Sequence, residues 1–152
     1  MTEETSFDLT RRPRRLRQSE NIRSLVRETE LSTDDLIMPV FVSAEDPNLR
    51  REIPTMPDIY QYGLEEIGRE IDALLEAGVS RILLFGIPDE KDAVGSDTFA
   101  DDGIIQRALD RINSRYGDEL LTVTDVCFCE YTSHGHCGVV DDEGRLLNDP
   151  TL

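Results

Sequence analysis

Apolar positions along the chain fall into two helical faces and three strand-length runs. Leu64, Ile67, Ile71, Leu74 and Leu75 recur at helical spacing, and Gly78 follows as a C-terminal stop. Ile104, Ile105, Ala108, Leu109 and Ile112 make a second helical face, stopped near Gly117. Residues 36–42 form a near-continuous apolar run of strand length, in which Pro39 marks a strand end or edge. Residues 81–85 read as a buried strand and residues 120–127 as another. The order strand–helix–strand–helix–strand predicts a parallel sheet with right-handed crossovers. Ser19 is a candidate N-cap for a short helix over 20–28, with Ile22, Leu25 and Val26 on one face. Residues 43–62 hold three prolines and no helical period, which predicts loop with a small hairpin; residues 86–100 are a polar loop. Asn148-Asp149-Pro150 has the chemistry of a helix start. A third covering helix is due where the 152 residues stop, so the pattern reads as the front part of a longer design.

Charge divides the chain unevenly. The total is −16, from 16 basic and 32 acidic residues. Residues 1–30 carry net +1 and residues 31–152 net −17, so we treat 1–30 as a basic arm with a short helix and 31–152 as the α/β segment. Arg11-Arg12-Pro13-Arg14-Arg15-Leu16-Arg17 places five arginines in seven residues. Three readings stand for it: a solvated tail, a nucleic-acid contact, or an arm docked on acidic protein. Docking on a neighbouring acidic subunit explains the asymmetry best. A body this acidic repels nucleic acid and anionic membrane. The longest apolar stretch, residues 82–87, is too short to span a bilayer, and the acidic start Met1-Thr2-Glu3-Glu4 lacks a secretory pattern. The expectation is a soluble cytoplasmic protein.

The densest chemistry lies in residues 125–138, where all three cysteines of the chain fall within eleven residues. Strand alternation would point Asp125, Cys127 and Cys129 one way and Thr124, Val126 and Phe128 the other, the apolar ones packing on helices. The carboxyl end of a parallel strand is where α/β folds place their sites. Clustered cysteines in a reducing compartment suit metal ligation better than disulfides. Cys127, Cys129 and Cys137 would give three thiolates and leave a fourth tetrahedral position open, the layout of a catalytic zinc site. Buried structural cysteines with a Gly/His-rich turn, or a Cys nucleophile with a His base, are the other readings. His134 and His136 stay open between ligand, ligand-supporting and solvated roles. Gly86 and Gly95 form no phosphate-loop pattern, and Tyr60, Tyr62 and Tyr131 read as packing residues.

The segment Asp125-Val126-Cys127-Phe128-Cys129-Glu130-Tyr131-Thr132-Ser133-His134-Gly135-His136-Cys137-Gly138 closely resembles the zinc-loop signature of the porphobilinogen synthase (δ-aminolevulinic acid dehydratase) family. Residues 11–29, 36–42, 53–62, 83–88 and 146–152 resemble that family in the same order. The resemblance implies the N-terminal part of a (β/α)₈ TIM barrel, about three strands of it, preceded by an extended arm. It implies an enzyme condensing two 5-aminolevulinate molecules to porphobilinogen in tetrapyrrole and haem synthesis. It further implies a homo-oligomer, commonly an octamer, assembled through the arm. By the same resemblance Cys127, Cys129 and Cys137 match zinc ligands, Asp125 an active-site acid, and His136 a second, less universal metal position. Some members use Mg²⁺ in place of the cysteine site; this chain retains all three thiols.

The family's two Schiff-base lysines have no counterpart here. Lys91 is the sole lysine and lies in the loop after the second strand. The chain alone is therefore expected to be catalytically incomplete. A zinc-binding structural or interaction module and one half of a split enzyme are the alternatives in function, and a flavodoxin-like βαβαβ arrangement is the alternative in fold. The acid-rich composition, with one lysine against fifteen arginines, suits a high-salt medium that screens self-repulsion. The melting temperature should accordingly rise between low and molar KCl; a flat melting profile across that range would contradict this reading.

Overall fold

The computed structural model describes residues 14–152. The chain divides into two compact units, Met1–Ser32 and Thr33–Leu152. In the first, α1 (Glu20–Leu25) is capped by Ser19, whose Oγ accepts the Ile22 N–H at 3.3 Å. Glu20 pairs with Arg23 at 2.6 Å and with Arg27 at 3.2 Å. The helix is shorter than the expected 20–28 because Val26 and Arg27 already donate to carbonyls three residues back, a tightening that ends the α-helical run. Arg11, Arg12 and Pro13 of the arginine heptad lie outside the described residues.

The second unit is built on one five-stranded sheet. Its strands are β1 (Met38–Ser43), β2 (Arg50–Glu52), β3 (Tyr60–Tyr62), β4 (Arg81–Ile87) and β5 (Leu121–Thr124), in the order β2-β3-β1-β4-β5. β1, β4 and β5 are mutually parallel neighbours and are linked through α2 (Ile67–Glu76) and α3 (Ile104–Tyr116). The expected loop at 43–62 does contain a hairpin: β2 and β3 pair antiparallel, and β3 adds itself in parallel to the free edge of β1. Apolar patterning shows little of β2, because all three of its residues are exposed. Its pairing is reinforced by polar cross-strand contacts, with Arg50 over the Tyr60 ring at 3.7 Å and Arg51 bonded to Gln61.

Register assigns the two faces. Val40 pairs with Leu84, Met38 with Ile82 and Val42 with Gly86. This face carries the core, where Val40, Val42, Ile82 and Leu84 pack with Ile67 and Ile71 of α2 and Ile104, Ala108 and Ile112 of α3. Both helices thus cover the same face while β1, β4 and β5 advance in one direction across the sheet. A flavodoxin-like fold reverses strand order and puts helices on both faces; sequential strands under one helical layer are the start of a barrel. The opposite face is apolar but uncovered. Phe41 stacks on Phe85 at 5.1 Å, and Leu121 and Val123 are 57% and 39% exposed.

Polar contacts join the two helices. The Tyr116 hydroxyl donates to the Gly68 carbonyl (2.8 Å) and to the Asp72 carboxylate (2.9 Å), while Arg115 pairs with Asp72 and Arg111 with Glu65. Gly68 leaves the space that Arg115 and Tyr116 enter. Burial, and then the Asp72 carboxylate, push the Tyr116 hydroxyl up to about 12. Because its folded value is raised, the bonds are fully present below the ordinary tyrosine value of about 10 and are lost as pH climbs through the folded value. Stability should therefore hold to about pH 10 and fall toward pH 12. Tyr116→Phe should cost about 1 kcal/mol in urea unfolding and flatten that alkaline slope.

Candidate metal centre

The carboxyl ends of β1, β4 and β5 open onto two loops, residues 88–103 between β4 and α3 and residues 125–147 after β5. β5 ends at Thr124, three residues short of the expected strand. The Asp125 N–H still donates to the Leu84 carbonyl at 3.3 Å, and the chain then leaves the sheet. Strand alternation thus stops before the cysteines. Val126, expected to pack on a helix, is 92% exposed. The thiols are gathered by a folded loop instead of by the face of a strand.

Tyr131 anchors that loop. It is 7% exposed and belongs to the main core cluster. Its ring enters the seam between β4 and α3 at Gly86, where a Cβ would collide with the Tyr131 hydroxyl and crowd Ile104 and Ile105. Burial, followed by the charges of Asp97, Glu130 and Asp125, pushes the phenol up to about 12. The Tyr131 and Thr132 N–H groups both donate to the Phe128 carbonyl at 2.9 Å, closing a tight turn between Cys127-Phe128-Cys129 and the rest of the loop. The buried Thr132 hydroxyl donates to the His136 carbonyl at 2.9 Å and draws the return limb inward.

The result is convergence of sulfur. Cys127 Sγ lies 3.2 Å from Cys129 Sγ and 2.9 Å from Cys137 Sγ, and all three ligand atoms fall within 4.8 Å of one another. A second group, Asp125, Cys127 and Glu130, meets the same limit, so carboxylates border the thiols. The Cys129 thiol donates to Glu130 Oε2 at 3.1 Å. Hydrogen bonding from Cys137 foremost, then from the Cys129 backbone, lowers the Cys127 thiol. Cys129 is pushed up by its bond to Cys127 and then by Glu130. Of the adjacent Cys127 and Cys129, Cys127 is thus the one inclined to give its proton first.

The donor set fits a soft, four-coordinate ion. Zinc–thiolate bonds of about 2.3 Å in a tetrahedron set sulfurs about 3.8 Å apart. Cys127 Sγ is already closer than this to both other sulfurs, so an ion would need an outward movement of loop side chains. Three protein ligands would leave a fourth position open, and Cys127 also borders a neighbouring cavity. That cavity, of about 270 Å³, is lined by Asp125 and Cys127 together with Thr124, Phe128, Tyr131 and Gln106. The Gln106 Oε1 is buried there with no hydrogen-bond partner.

The structure brings Asp125, Cys127, Cys129 and Cys137 together, as the sequence motif suggested, and separates the histidines from them. His134 Nε2 lies 3.1 Å from the Ala93 carbonyl, and its Nδ1 accepts the His136 N–H at 3.1 Å. Both ring nitrogens are occupied in holding the loop, which requires the tautomer with hydrogen on Nε2. His136 lies beside it, ring centroids 5.6 Å apart. Neither histidine belongs to the two convergent ligand groups. Lys91 is exposed in the β4–α3 loop.

Sequence reasoning passed over Asp92. Its carboxylate accepts the Val94 N–H (2.9 Å), the Ser96 N–H (3.1 Å) and the Ser96 hydroxyl. Hydrogen bonding from Ser96 and then Val94 holds this carboxyl below the usual range. The signal was available as an Asx-turn pattern, Asp92-Ala93-Val94-Gly95-Ser96.

A mainly parallel α/β sheet with one helical layer, and a thiol cluster where its parallel strands end, defines a barrel-type enzyme segment with a candidate metal centre. The family model for delta-aminolevulinic acid dehydratase matches residues 10–152, and the chain belongs to that family. It is 49% identical over 146 residues to the delta-aminolevulinic acid dehydratase of Halalkalibacterium halodurans, covering 95% of this chain and 44% of that protein. The Ruminiclostridium josui enzyme of the same name is 45% identical over 144 residues, covering 95% of this chain and 69% of that one. A crystal structure of the Toxoplasma gondii dehydratase (porphobilinogen synthase), in complex with the reaction product porphobilinogen, superposes with a TM-score of 0.85 at 31% identity. That match covers 95% of this chain and 41% of the Toxoplasma chain. The chain thus spans less than half the length of the first and third of these relatives. Among the described residues, no helix is long and apolar enough to cross a membrane.

If Tyr131 pins the thiol loop to the core, Tyr131→Ala should cost about 3 kcal/mol, as for other large-to-small changes of buried aromatics. The urea midpoint should fall accordingly. A loss below about 1 kcal/mol would mean that the ring merely rests in the seam.

Proposed function

We propose that this chain forms the N-terminal part and metal corner of a zinc-type porphobilinogen synthase. The overall reaction condenses two 5-aminolevulinate molecules to porphobilinogen in tetrapyrrole and haem synthesis. The observation that supports this most directly is the meeting of three thiols, Cys127, Cys129 and Cys137, at the carboxyl end of the third barrel strand.

These three residues would hold Zn²⁺. When bound, the ion supplies Lewis acidity at an open coordination position, suited to holding a substrate amino group. The remaining work falls to the chain's own residues. Asp125 lines the cavity beside Cys127, where its carboxylate can accept or orient a proton at a substrate amine. Glu130 accepts the Cys129 S–H bond, giving that proton a nearby base when the thiols ligate an ion. Tyr131 stays protonated at neutral pH and forms part of the cavity wall. His134 shapes the loop through both ring nitrogens.

Schiff-base formation needs amine nucleophiles, and Lys91, the single lysine of these 152 residues, is exposed in the loop between β4 and α3. The lysine chemistry must come from residues beyond the 152. The uncovered face bearing Phe41, Phe85, Leu121 and Val123 matches the interior layer that further strands of a barrel fill. We further propose a cytoplasmic homo-oligomer, an octamer by family, assembled through the arginine-rich arm, with Mg²⁺ as an additional ion of the complete enzyme.

Two measurements test the proposal. Titration of the purified chain with Co²⁺ should produce an intense sulfur-to-metal charge-transfer band saturating at one equivalent, and Cys127→Ser should abolish most of it. Absence of the band in the unaltered chain overturns the thiolate centre. An Ehrlich colour assay of the same protein with 5-aminolevulinate should show no porphobilinogen; turnover would refute the reading of the lysines.

A further inference from the structure

Two loops meet beside the thiols, and the hydrogen bonds recorded between them engage the backbone carbonyls of Asp92 and Ala93. The Asp92 carbonyl accepts the Ser133 N–H at 2.8 Å, and Asp92 forms a bridge with Thr132. The Ala93 carbonyl meets His134 Nε2 at 3.1 Å. Gly95, at φ +62°, lies against Phe128, Tyr131 and Thr132 closely enough that a Cβ would stand 3.0 Å from the Phe128 ring. Apart from Phe128, which lies between Cys127 and Cys129, these contacts fall on Tyr131, Thr132, Ser133 and His134, inside the stretch 130–136 that separates Cys129 from Cys137. Bringing Cys137 back against Cys127 closes a ten-residue span, and the 92–95 backbone braces the middle of it.

A main-chain brace is only as firm as the conformation of its own loop. Here that conformation is set by one side chain. The Asp92 carboxylate gathers the Val94 N–H, the Ser96 N–H and the Ser96 hydroxyl, folding residues 92–96 into a turn whose first two carbonyls project toward the thiol loop. We propose that Asp92 is a positioning residue for the thiol centre, acting through this turn and touching neither sulfur nor substrate. Supports of this kind around metal ligands are commonly worth 10- to 100-fold in ion affinity. The metal part of this inference rests on the thiolate-centre reading above; the loop-bracing part does not.

The test keeps the two apart. Amide hydrogen exchange is measured on the metal-free 152-residue chain, and Co²⁺ affinity is measured by competition with a chromophoric chelator. Asp92→Ala should speed exchange at Ser133, whose N–H is held by the Asp92 carbonyl, at least about tenfold and weaken Co²⁺ by about 10- to 100-fold. The exchange protection of core amides in β4 should be unchanged. Ser96→Ala, which removes one of the three bonds, should move both readouts in the same direction by less, and it serves if Asp92→Ala fails to fold. Asp141→Ala is the control. Asp141 organises its own turn by accepting the Glu143 and Arg145 N–H groups at 2.9 and 2.8 Å and, among the described residues, forms no hydrogen bond or ion pair with residues 128–134. Unchanged exchange at Ser133 in both Asp92→Ala and Ser96→Ala overturns the brace. An equal affinity loss in Asp141→Ala also overturns it, since general loosening would then suffice. Faster exchange in a chain whose unaltered form binds no Co²⁺ sustains the brace and removes only the metal reading.

Discussion

Alternate residues of β1 and β4 lie under α2 and α3, and the dry layer they form is the constraint from which everything else in the second unit hangs. Val40, Val42, Ile82 and Leu84 are essentially inaccessible to water. Burying such side chains contributes roughly 1.5–3 kcal/mol each, more than any surface ion pair in this protein can match. Because both helices press on one face, the strands must run parallel and advance in sequence, and their carboxyl ends must open on the same side. The loop that carries the cysteines has nowhere else to emerge.

Helical faces were legible because they repeat. Ile67 and Ile71 are buried as their spacing implies, and so are Ile104, Ala108 and Ile112. β4 was legible as an apolar run, although register was needed to show that only its alternate residues face the helices. What escaped the pattern was governed by backbone. β2 pairs through exposed Arg50, Arg51 and Glu52, which carry no apolar signal. β5 stops early because the chain turns once Asp125 has made its last bond to Leu84. A period of two therefore predicted the wrong orientation for Val126.

The thiols show the same division. Cysteine count and spacing raised the expectation of a thiol cluster, and the structure gathers all three sulfurs. Their convergence depends on turns, carbonyl acceptors and a buried tyrosine, none of which has a hydrophobic period. His134 illustrates the point: beside three cysteines it invites reading as a ligand, yet both its nitrogens are spent on main-chain groups of the loops. Charge, by contrast, bore only on expectations about medium and partners and said little about architecture.

Gly86 and Tyr131 stand forty-five positions apart and share one small volume. Neither residue can drift alone. A methyl group gained at position 86 evicts the phenol, and a smaller ring or aliphatic at 131 leaves a void until position 86 grows. Effects of paired changes at such a contact do not add, and their sign can depend on order. The strand and the sulfur-bearing loop are thereby bound into a single unit of inheritance, in which evolution of the chemical end is paced by what the scaffold has already accepted.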